Sequence, residues 1–254
     1  MRARTTTVGL LAAVLLAGCA AGTAPHRSSA MGSPIATASP VPSPSLTPAP
    51  TPAPATPKPS ARLTRTIYLT FDDGPNPTWT PQILSLLEAG GVHASFFVIG
   101  ENARAWPRLV EREARDGDTV GDHTWSHPEL TELSASAVWA ELSRTKTLIT
   151  MLTGTAPRLW RPPYEAFNRS VITIAAGLGM TMQLWSVSTG DWQLPGTGVI
   201  VKRVMSVLRN GMVVLFHDGG GNRSETVSAL AILLTDLRMA GYRVAALPPQ
   251  GIGC

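Results

Sequence analysis

Short apolar runs alternate with longer amphipathic segments from residue 66 to residue 246, and this alternation constrains the fold more than any other feature. Short runs rich in Val, Ile, Thr and Phe predict strands, and longer segments with apolar residues three or four apart predict helices. The predicted strands are 66–70, 94–99, 119–122, 158–160, 181–185, 212–216 and 242–246. The predicted helices are 80–89, 106–116, 134–152, 170–178, 197–209 and 224–240. Strands that alternate with helices in this way form βαβ units with parallel strands.

About seven such units within residues 61–254 predict an α/β fold, a distorted and incomplete (β/α) barrel, because a full eightfold barrel usually needs about 250 residues. A doubly wound open sheet is the alternative. The sequence contains no G-x-G-x-x-G or Walker motif, so no nucleotide cofactor is expected. The first long helix is expected to begin with Thr80 as its N-cap, followed by Pro81.

The charge distribution argues against a nucleic-acid-binding protein. The sequence pI is about 9.5. However, residues 61–254 contain 17 basic and 17 acidic residues, so the excess positive charge belongs to the N-terminal region. No basic patch interleaved with aromatic residues is present, and we therefore expect no nucleic-acid partner.

The N-terminus is typical of an exported protein. Arg2 and Arg4 precede an apolar run that is too short to span a bilayer, as in a secretory signal peptide. The run ends in L-A-G-C, which resembles a bacterial lipobox and implies cleavage after residue 18 and lipid attachment at Cys19. An ordinary signal peptide with an incidental cysteine is the alternative. Cys254 is assigned no role.

Residues 19–60 are predicted to be a lipid anchor followed by a disordered linker rich in Pro, Ala, Ser and Thr. Such a linker would reach between roughly 35 Å as a coil and about 130 Å when extended. The folded domain, 61–254, is therefore expected at the extracytoplasmic face of the membrane, within reach of the cell wall.

Polar residues follow the predicted strands, and in a parallel barrel the chemistry takes place at these strand ends. Asp72 and Asp73 follow the first strand, where they could divide the roles of base and metal ligand or simply form a turn. His123 and His127 follow the third strand. Two imidazoles four residues apart lie on one face of a helical turn and can share a metal, although a pair of surface histidines is equally compatible.

Three further strand ends carry polar residues. Arg161 is followed by two prolines that stiffen its turn, which suits a fixed carboxylate partner. Asp191 and Trp192 follow the fifth strand. His217 follows the apolar residues Leu215 and Phe216, where a lone histidine is more often structural than catalytic. The accumulation of these groups at one end of the strands indicates a functional site.

The ordered motifs T-F-D-D-G-P, H-T-W-S-H-P, R-P-P-Y, D-W and L-F-H resemble those of the polysaccharide deacetylase (NodB-homology) family of carbohydrate esterases. The resemblance covers residues 66 to about 247. It implies a distorted barrel that binds one divalent metal ion, usually Zn²⁺ with Co²⁺ or Ni²⁺ as alternatives, and hydrolyses acetyl groups on N-acetylated sugars. The implied metal ligands are Asp73, His123 and His127.

The resemblance also implies roles for the remaining residues. Asp72 would be the general base, oriented by Arg161, and His217 would be the general acid, tuned by Asp191. The implied substrate-binding residues are Tyr164, whose backbone N–H would help to hold the oxyanion, and Trp192 and Leu215, which would line the pocket for the acetyl methyl group.

Two positions depart from the family pattern. Glu165 stands where the family commonly has Gly, and Ser188 stands where it often has Asp. Neither is an implied metal ligand, so these departures bear on substrate preference and rate.

Three functions remain open from the sequence. The first is metal-dependent N-deacetylation of peptidoglycan or chitin-like oligomers by a monomeric enzyme. The second is O-acetyl ester hydrolysis on acetylated xylan, and the third is glycan binding without turnover. The absence of a G-x-S-x-G motif argues against a serine esterase.

Overall fold

The computed structural model describes residues 65–252, which form one sheet of eight strands with helices between them. The predicted signal peptide, Cys19, the linker and Cys254 lie outside the described residues. The strands are β1 (Arg65–Asp72), β2 (Ser95–Val98), β3 (Thr119–Asp122), β4 (Leu159–Trp160), β5 (Thr181–Met182), β6 (Val187–Ser188), β7 (Met212–His217) and β8 (Tyr242–Ala245). The α-helices are α1 (Thr80–Gly90), α2 (Gly100–Ala105), α3 (Pro107–Arg115), α4 (Ala135–Thr153), α5 (Arg169–Gly177), α6 (Thr197–Met205) and α7 (Ser224–Met239). None of these helices is long and apolar enough to cross a bilayer.

Every strand pair in the sheet is parallel, and the strand order is β5-β4-β3-β2-β1-β7-β6. β1 is the centre of the sheet: β7 pairs along one side, while β8 and β2 share the other side. β5 and β6 are consecutive in the chain, but within residues 65–252 no ladder joins them. The sheet therefore leaves a gap between β5 and β6, which confirms the predicted incomplete barrel.

Alternation along the strands divides the apolar core from the barrel interior. In β1, the side chains of Ile67, Leu69 and Phe71 pack in the main hydrophobic core beneath the helices. The residues between them, including Asp72, face the opposite side because side chains alternate along a strand. β7 repeats the pattern, with Phe216 in the core and His217 on the interior side. The period of two thus directs both polar residues toward the interior.

The structure corrects several predicted boundaries. The helix predicted at 106–116 is α3, which begins at Pro107 and ends at Arg115. Trp106, with the non-helical angles φ −130° and ψ 55°, separates it from α2, which Pro107 cannot continue because it has no N–H. α2 was not predicted, because its buried residues are limited to Gly100 and Ala103, which form no helical repeat of apolar side chains. The strand predicted at 181–185 stops at Met182, and the two-residue strand β6 was not predicted.

Thr80 is not the N-cap of α1, contrary to the prediction. Trp79 occupies that position, without a capping side-chain hydrogen bond. The hydroxyl of Thr80 instead accepts a hydrogen bond from the backbone N–H of Asn76 and donates one to Asp218. The Thr80 hydroxyl is therefore bonded to a buried carboxylate and to the loop before the helix, and it does not cap α1.

The Phe71 ring provides a test of the core. Phe71 is fully buried and stacks on Phe96 and Phe216, with ring centroids 5.2 and 5.5 Å away. Phe71→Ala should lower the free energy of unfolding by about 3–5 kcal/mol, because it leaves a cavity between three strands. Urea unfolding followed by circular dichroism would measure this loss. Trp139→Ala, at an exposed site, should change it by no more than about 0.5 kcal/mol, and similar losses for both variants would contradict the assigned core.

Candidate active site

A cavity of about 590 Å³ lies at the carboxyl ends of the strands. It brings together eight of the residues singled out in the sequence, contributed by several strands and the loops that follow them. These residues are Asp72, Asp73, His123, His127, Tyr164, Trp192, Leu215 and His217. Arg161 and Asp191 are fully buried beside this group and contact two of its members. Cys19 lies outside the described residues.

Asp73, His123 and His127 form a cluster that could hold a metal ion, with one ligand atom from each within 4.8 Å of the others. The Asp73 Oδ1 atom lies 3.4 Å from His123 Nε2 and 3.1 Å from His127 Nε2. This oxygen is buried, yet it takes part in no hydrogen bond of acceptable geometry among residues 65–252. A buried carboxylate oxygen between two imidazole nitrogens fits a divalent metal ion.

The two histidines do not reach the cluster through the predicted helical turn. The segment that carries them is an irregular loop, in which Thr124 and His127 adopt left-handed backbone angles, φ 69° and 61°. Asp73 is also left-handed, with φ 70°. Such conformations are uncommon for residues with a Cβ atom. The spacing correctly predicted that the two rings lie close together, but the helical turn predicted to bring them together is not formed.

The second ring nitrogen of each histidine also has a partner. His123 Nδ1 lies 2.7 Å from the backbone carbonyl oxygen of Arg161, to which it would donate as Nδ1–H. His127 Nδ1 lies 3.2 Å from the hydroxyl of Tyr164. Partners at Nδ1 leave Nε2 of each ring directed at the cluster, as is typical of metal-binding histidines.

The charge on Asp73 suits a metal ligand. Burial favours the neutral acid, but the contacts with His123 and His127 and the nearby His217 outweigh burial. The pKa of Asp73 is therefore lowered well below its usual range, and the side chain is an ionised carboxylate at neutral pH.

Arg161 and Asp72 form a buried ion pair on one side of the cluster. Arg161 Nη1 donates to Asp72 Oδ1 at 2.7 Å and to the Thr70 hydroxyl at 2.8 Å. Its other nitrogens donate to the carbonyl oxygens of Gln183 and Leu184, and its guanidinium stacks on Phe97. These contacts hold Arg161 in one orientation, and Asp72 with it.

His217 and Asp191 form a second pair. His217 Nδ1 lies 2.8 Å from Asp191 Oδ1, and Asp191 Oδ2 accepts hydrogen bonds from the backbone N–H of His217 and the hydroxyl of Thr226. Burial would lower the pKa of His217, but the hydrogen bond and charge of Asp191, together with the charges of Asp72 and Asp73, outweigh it. The pKa of His217 is therefore raised. The pKa of Asp191 is lowered, because its bonds to His217 and Thr226 outweigh burial.

The residues expected to bind substrate lie at the cavity wall. Tyr164 and Trp192 are exposed, with 70% and 57% of their surface accessible, and Leu215 is buried in β7, two residues before the strand ends at His217. Glu165 and Ser188 also line the cavity. Both departures from the family pattern therefore stand where substrate would contact them.

The loop after β7 supports the cluster, although the sequence motifs gave this loop no role. Asp218 is fully buried, and its carboxylate fills the space beside Gly74 that a Cβ atom would occupy. Burial and the charges of Asp73 and Asp72 raise the pKa of Asp218 to about 7. A Cβ atom at Gly219 would overlap the backbone of Asp73. The three consecutive glycines after Asp218 are the sequence signal of this close approach.

Comparison with known proteins agrees with this geometry. The model of the polysaccharide deacetylase family matches residues 60–183. The chitooligosaccharide deacetylase of a Bradyrhizobium species is 36% identical over 197 residues, and the match covers 73% of this chain and 90% of that protein. The chain belongs to the polysaccharide deacetylase family.

Two further comparisons extend the family assignment. The peptidoglycan-N-acetylglucosamine deacetylase PgdA of Listeria monocytogenes is 38% identical over 184 residues, which make up 72% of this chain but 38% of PgdA. This chain thus matches less than half of the length of PgdA. The structure of the peptidoglycan deacetylase PdaC from Bacillus subtilis has a TM-score of 0.67 and 35% identity, with coverage of 72% of this chain and 87% of that one.

The glycine common in the family after the R-P-P-Y motif has a structural explanation. Position 165 has a φ of 57°, in the left-handed region where glycine is strain-free. In this chain Glu165 adopts that left-handed angle and lines the cavity.

The His217–Asp191 pair gives a prediction for titration. Asp191→Asn should lower the pKa of His217, because the imidazolium loses a buried negative partner, so the ring should lose its proton at a lower pH. Nuclear magnetic resonance of the imidazole ring across a pH series would measure this. Thr226→Val removes the other side-chain partner of Asp191 and keeps its charge, so it should move the pKa of His217 much less. A pKa that is unchanged in Asp191→Asn would show that the carboxylate does not favour the protonated ring.

Proposed function

We propose that the protein is a metal-dependent hydrolase that removes N-acetyl groups from glycans containing N-acetylglucosamine. One observation carries the proposal: a cluster that could hold a metal ion shares one cavity with two oppositely built pairs, a carboxylate held by an arginine and a histidine held by a carboxylate. Amide hydrolysis needs a base for water and an acid for the leaving amine. The printed names of the Listeria and Bradyrhizobium relatives support N-acetylglucosamine polymers as substrates.

The metal would be held by Asp73, His123 and His127. Two imidazoles and one carboxylate form a donor set that suits Zn²⁺ and leaves positions for water and substrate, and Co²⁺ or Ni²⁺ could bind the same ligands. When bound, the metal would lower the pKa of a water molecule and polarise the acetyl carbonyl group.

The protein's own side chains would move the protons. Asp72, held in place by Arg161, would take the proton from the attacking water. His217, kept protonated by Asp191, would give its proton to the leaving nitrogen, which is a poor leaving group without it. The backbone N–H of Tyr164 would stabilise the developing oxyanion. Trp192 and Leu215 would enclose the acetyl methyl group.

We further propose that the natural substrate is cell-wall peptidoglycan or a chitin-like oligomer met outside the cytoplasm. The signal peptide predicted at 1–18, the lipobox cysteine Cys19 and the linker predicted at 19–60 support a membrane-anchored position near the wall. The names of the relatives support both kinds of glycan.

The proposed reaction is tested by acetate release. The purified protein should release acetate from peptidoglycan or chitooligosaccharides, lose this activity on chelation and regain it with Zn²⁺. Asp72→Asn and His217→Ala should each lower turnover by about 10²–10⁴-fold, because each removes a proton-transfer group, while metal binding is retained. His93→Ala, outside the cavity, is the matched histidine control.

Two outcomes would reject the proposed reaction. Faster acetate release from acetylated xylan than from any N-acetylated glycan would favour the O-acetyl esterase. Glycan binding by the metal-loaded protein with no acetate release from any substrate would favour a non-catalytic binding module.

The proposed location is tested at Cys19. Cys19→Ala should abolish incorporation of labelled lipid and move the protein from the membrane fraction to the soluble fraction, because the thiol is the proposed attachment point. Cys254→Ala is the matched control and should remain in the membrane fraction. Membrane association of Cys19→Ala that equals that of the unaltered protein would contradict the lipid anchor.

A further inference from the structure

The loop that joins His123 to His127 is under backbone strain. It must turn sharply so that the Nε2 atoms of both rings approach the same Asp73 oxygen, within 3.4 Å. The turn uses left-handed angles at Thr124 and His127. Residues with a Cβ atom disfavour this conformation, so the loop needs external contacts to keep it.

Part of this support comes from the loop itself and from α2. Asp122 Oδ1 accepts the backbone N–H of Thr124, and the Thr124 hydroxyl accepts that of His127. From α2, the N–H groups of Gly100 and Glu101 donate to carbonyl oxygens of the loop. These contacts leave the two backbone N–H groups at the outer bend of the loop, those of Trp125 and Ser126, for another acceptor.

Glu141 of α4 supplies that acceptor. Its Oε2 accepts the N–H of Trp125 and the N–H of Ser126, both at 2.8 Å, and its Oε1 accepts the Ser126 hydroxyl at 3.0 Å. One half-buried carboxylate thus binds three donors of the metal-ligand loop. Hydrogen bonds to an ionised acceptor are the stronger kind.

α4 provides a rigid base for this contact. Leu142 and Ile149 of the helix are buried in the protein. The Ser134 hydroxyl caps its first turn by accepting the N–H of Ala137. Arg144, three residues after Glu141, lies with its guanidinium 3.5 Å from the centre of the Trp125 ring. α4 therefore holds the loop in two ways: Glu141 binds the backbone of the loop, and Arg144 contacts the indole ring of Trp125.

We propose that Glu141 is a positioning residue for the metal site: it holds the 123–127 loop in the strained conformation that lets His123 and His127 bind one ion together. The inference rests on the metal site proposed above. Glu141 is not a member of the ligand cluster, so its effect passes through the loop. Loss of such outer contacts typically weakens metal binding by about 10–100-fold.

Two conservative variants distinguish a Glu141 that positions the loop from a Glu141 that attracts the metal ion only through its negative charge. Glu141→Gln keeps the length of the side chain and one carbonyl oxygen for the two N–H groups, and its amide can donate to the Ser126 hydroxyl. Glu141→Asp keeps the charge but is one methylene shorter, so it does not reach the loop. Positioning predicts a Kd for Zn²⁺ within about threefold of the unaltered protein for Gln and weaker by about 10–100-fold for Asp and Ala. If Glu141 acts only by attracting the cation, this order reverses.

The experiment measures the Kd for Zn²⁺ by competition with a chromophoric chelator, using the full-length protein and each variant. Glu101→Ala is the matched control, because Glu101 is an exposed carboxylate of α2 that touches the same loop through its backbone N–H. It should leave the Kd unchanged. Thermal unfolding of the metal-free proteins identifies any variant that fails to fold, and the Gln and Asp comparison remains informative if Glu141→Ala is such a variant.

The outcomes distinguish this inference from the proposed function. Absence of Zn²⁺ binding by the unaltered protein would overturn the metal site itself. Tight binding by the unaltered protein and equally tight binding by Glu141→Asp and Glu141→Ala would leave the metal site intact and overturn the role of Glu141. Lowered thermal stability of the metal-free variants with an unchanged Kd would likewise reduce Glu141 to a purely structural residue.

Discussion

The buried guanidinium of Arg161 is the interaction on which the arrangement of the barrel interior depends. It reaches from the end of β4 to the end of β1, and it also binds the carbonyl oxygens of the segment after β5. A buried cation is costly unless its donors find acceptors, so the strands around it can adopt few alternative positions. The same contacts that satisfy the arginine place Asp72 beside the cluster of Asp73, His123 and His127. The contacts of one buried side chain therefore fix the position of the proposed base.

The two ion pairs of the site have opposite polarity. Asp72 faces a permanent cation, whereas His217 faces the buried anion Asp191. The register of β1 and β7 places Asp72 and His217 side by side at the ends of neighbouring strands. The two groups to which we assign opposite proton-transfer roles can thus lie in one cavity, because each has its own counter-charge.

Much of this architecture follows from local rules that the sequence displays. Period-two alternation in β1 and β7 predicts that Asp72 and His217 face away from the helix-covered core, and motif order predicts that the strand ends meet. The sequence does not display the left-handed turn between His123 and His127, because that conformation depends on contacts with α2 and α4. The sequence also gives no indication of the role of Glu141, which resembles any other polar residue of an amphipathic helix. The sequence therefore did not predict the features that depend on contacts between elements far apart in the chain.

The gap between β5 and β6 also bears on solubility. An unclosed sheet has two edges, and an exposed edge can pair with another chain and seed aggregation. The two strands that border the gap are each two residues long, Thr181–Met182 and Val187–Ser188. Such short edges offer too few backbone groups for a stable intermolecular ladder. The two strands that border the gap therefore offer little template for pairing with another chain.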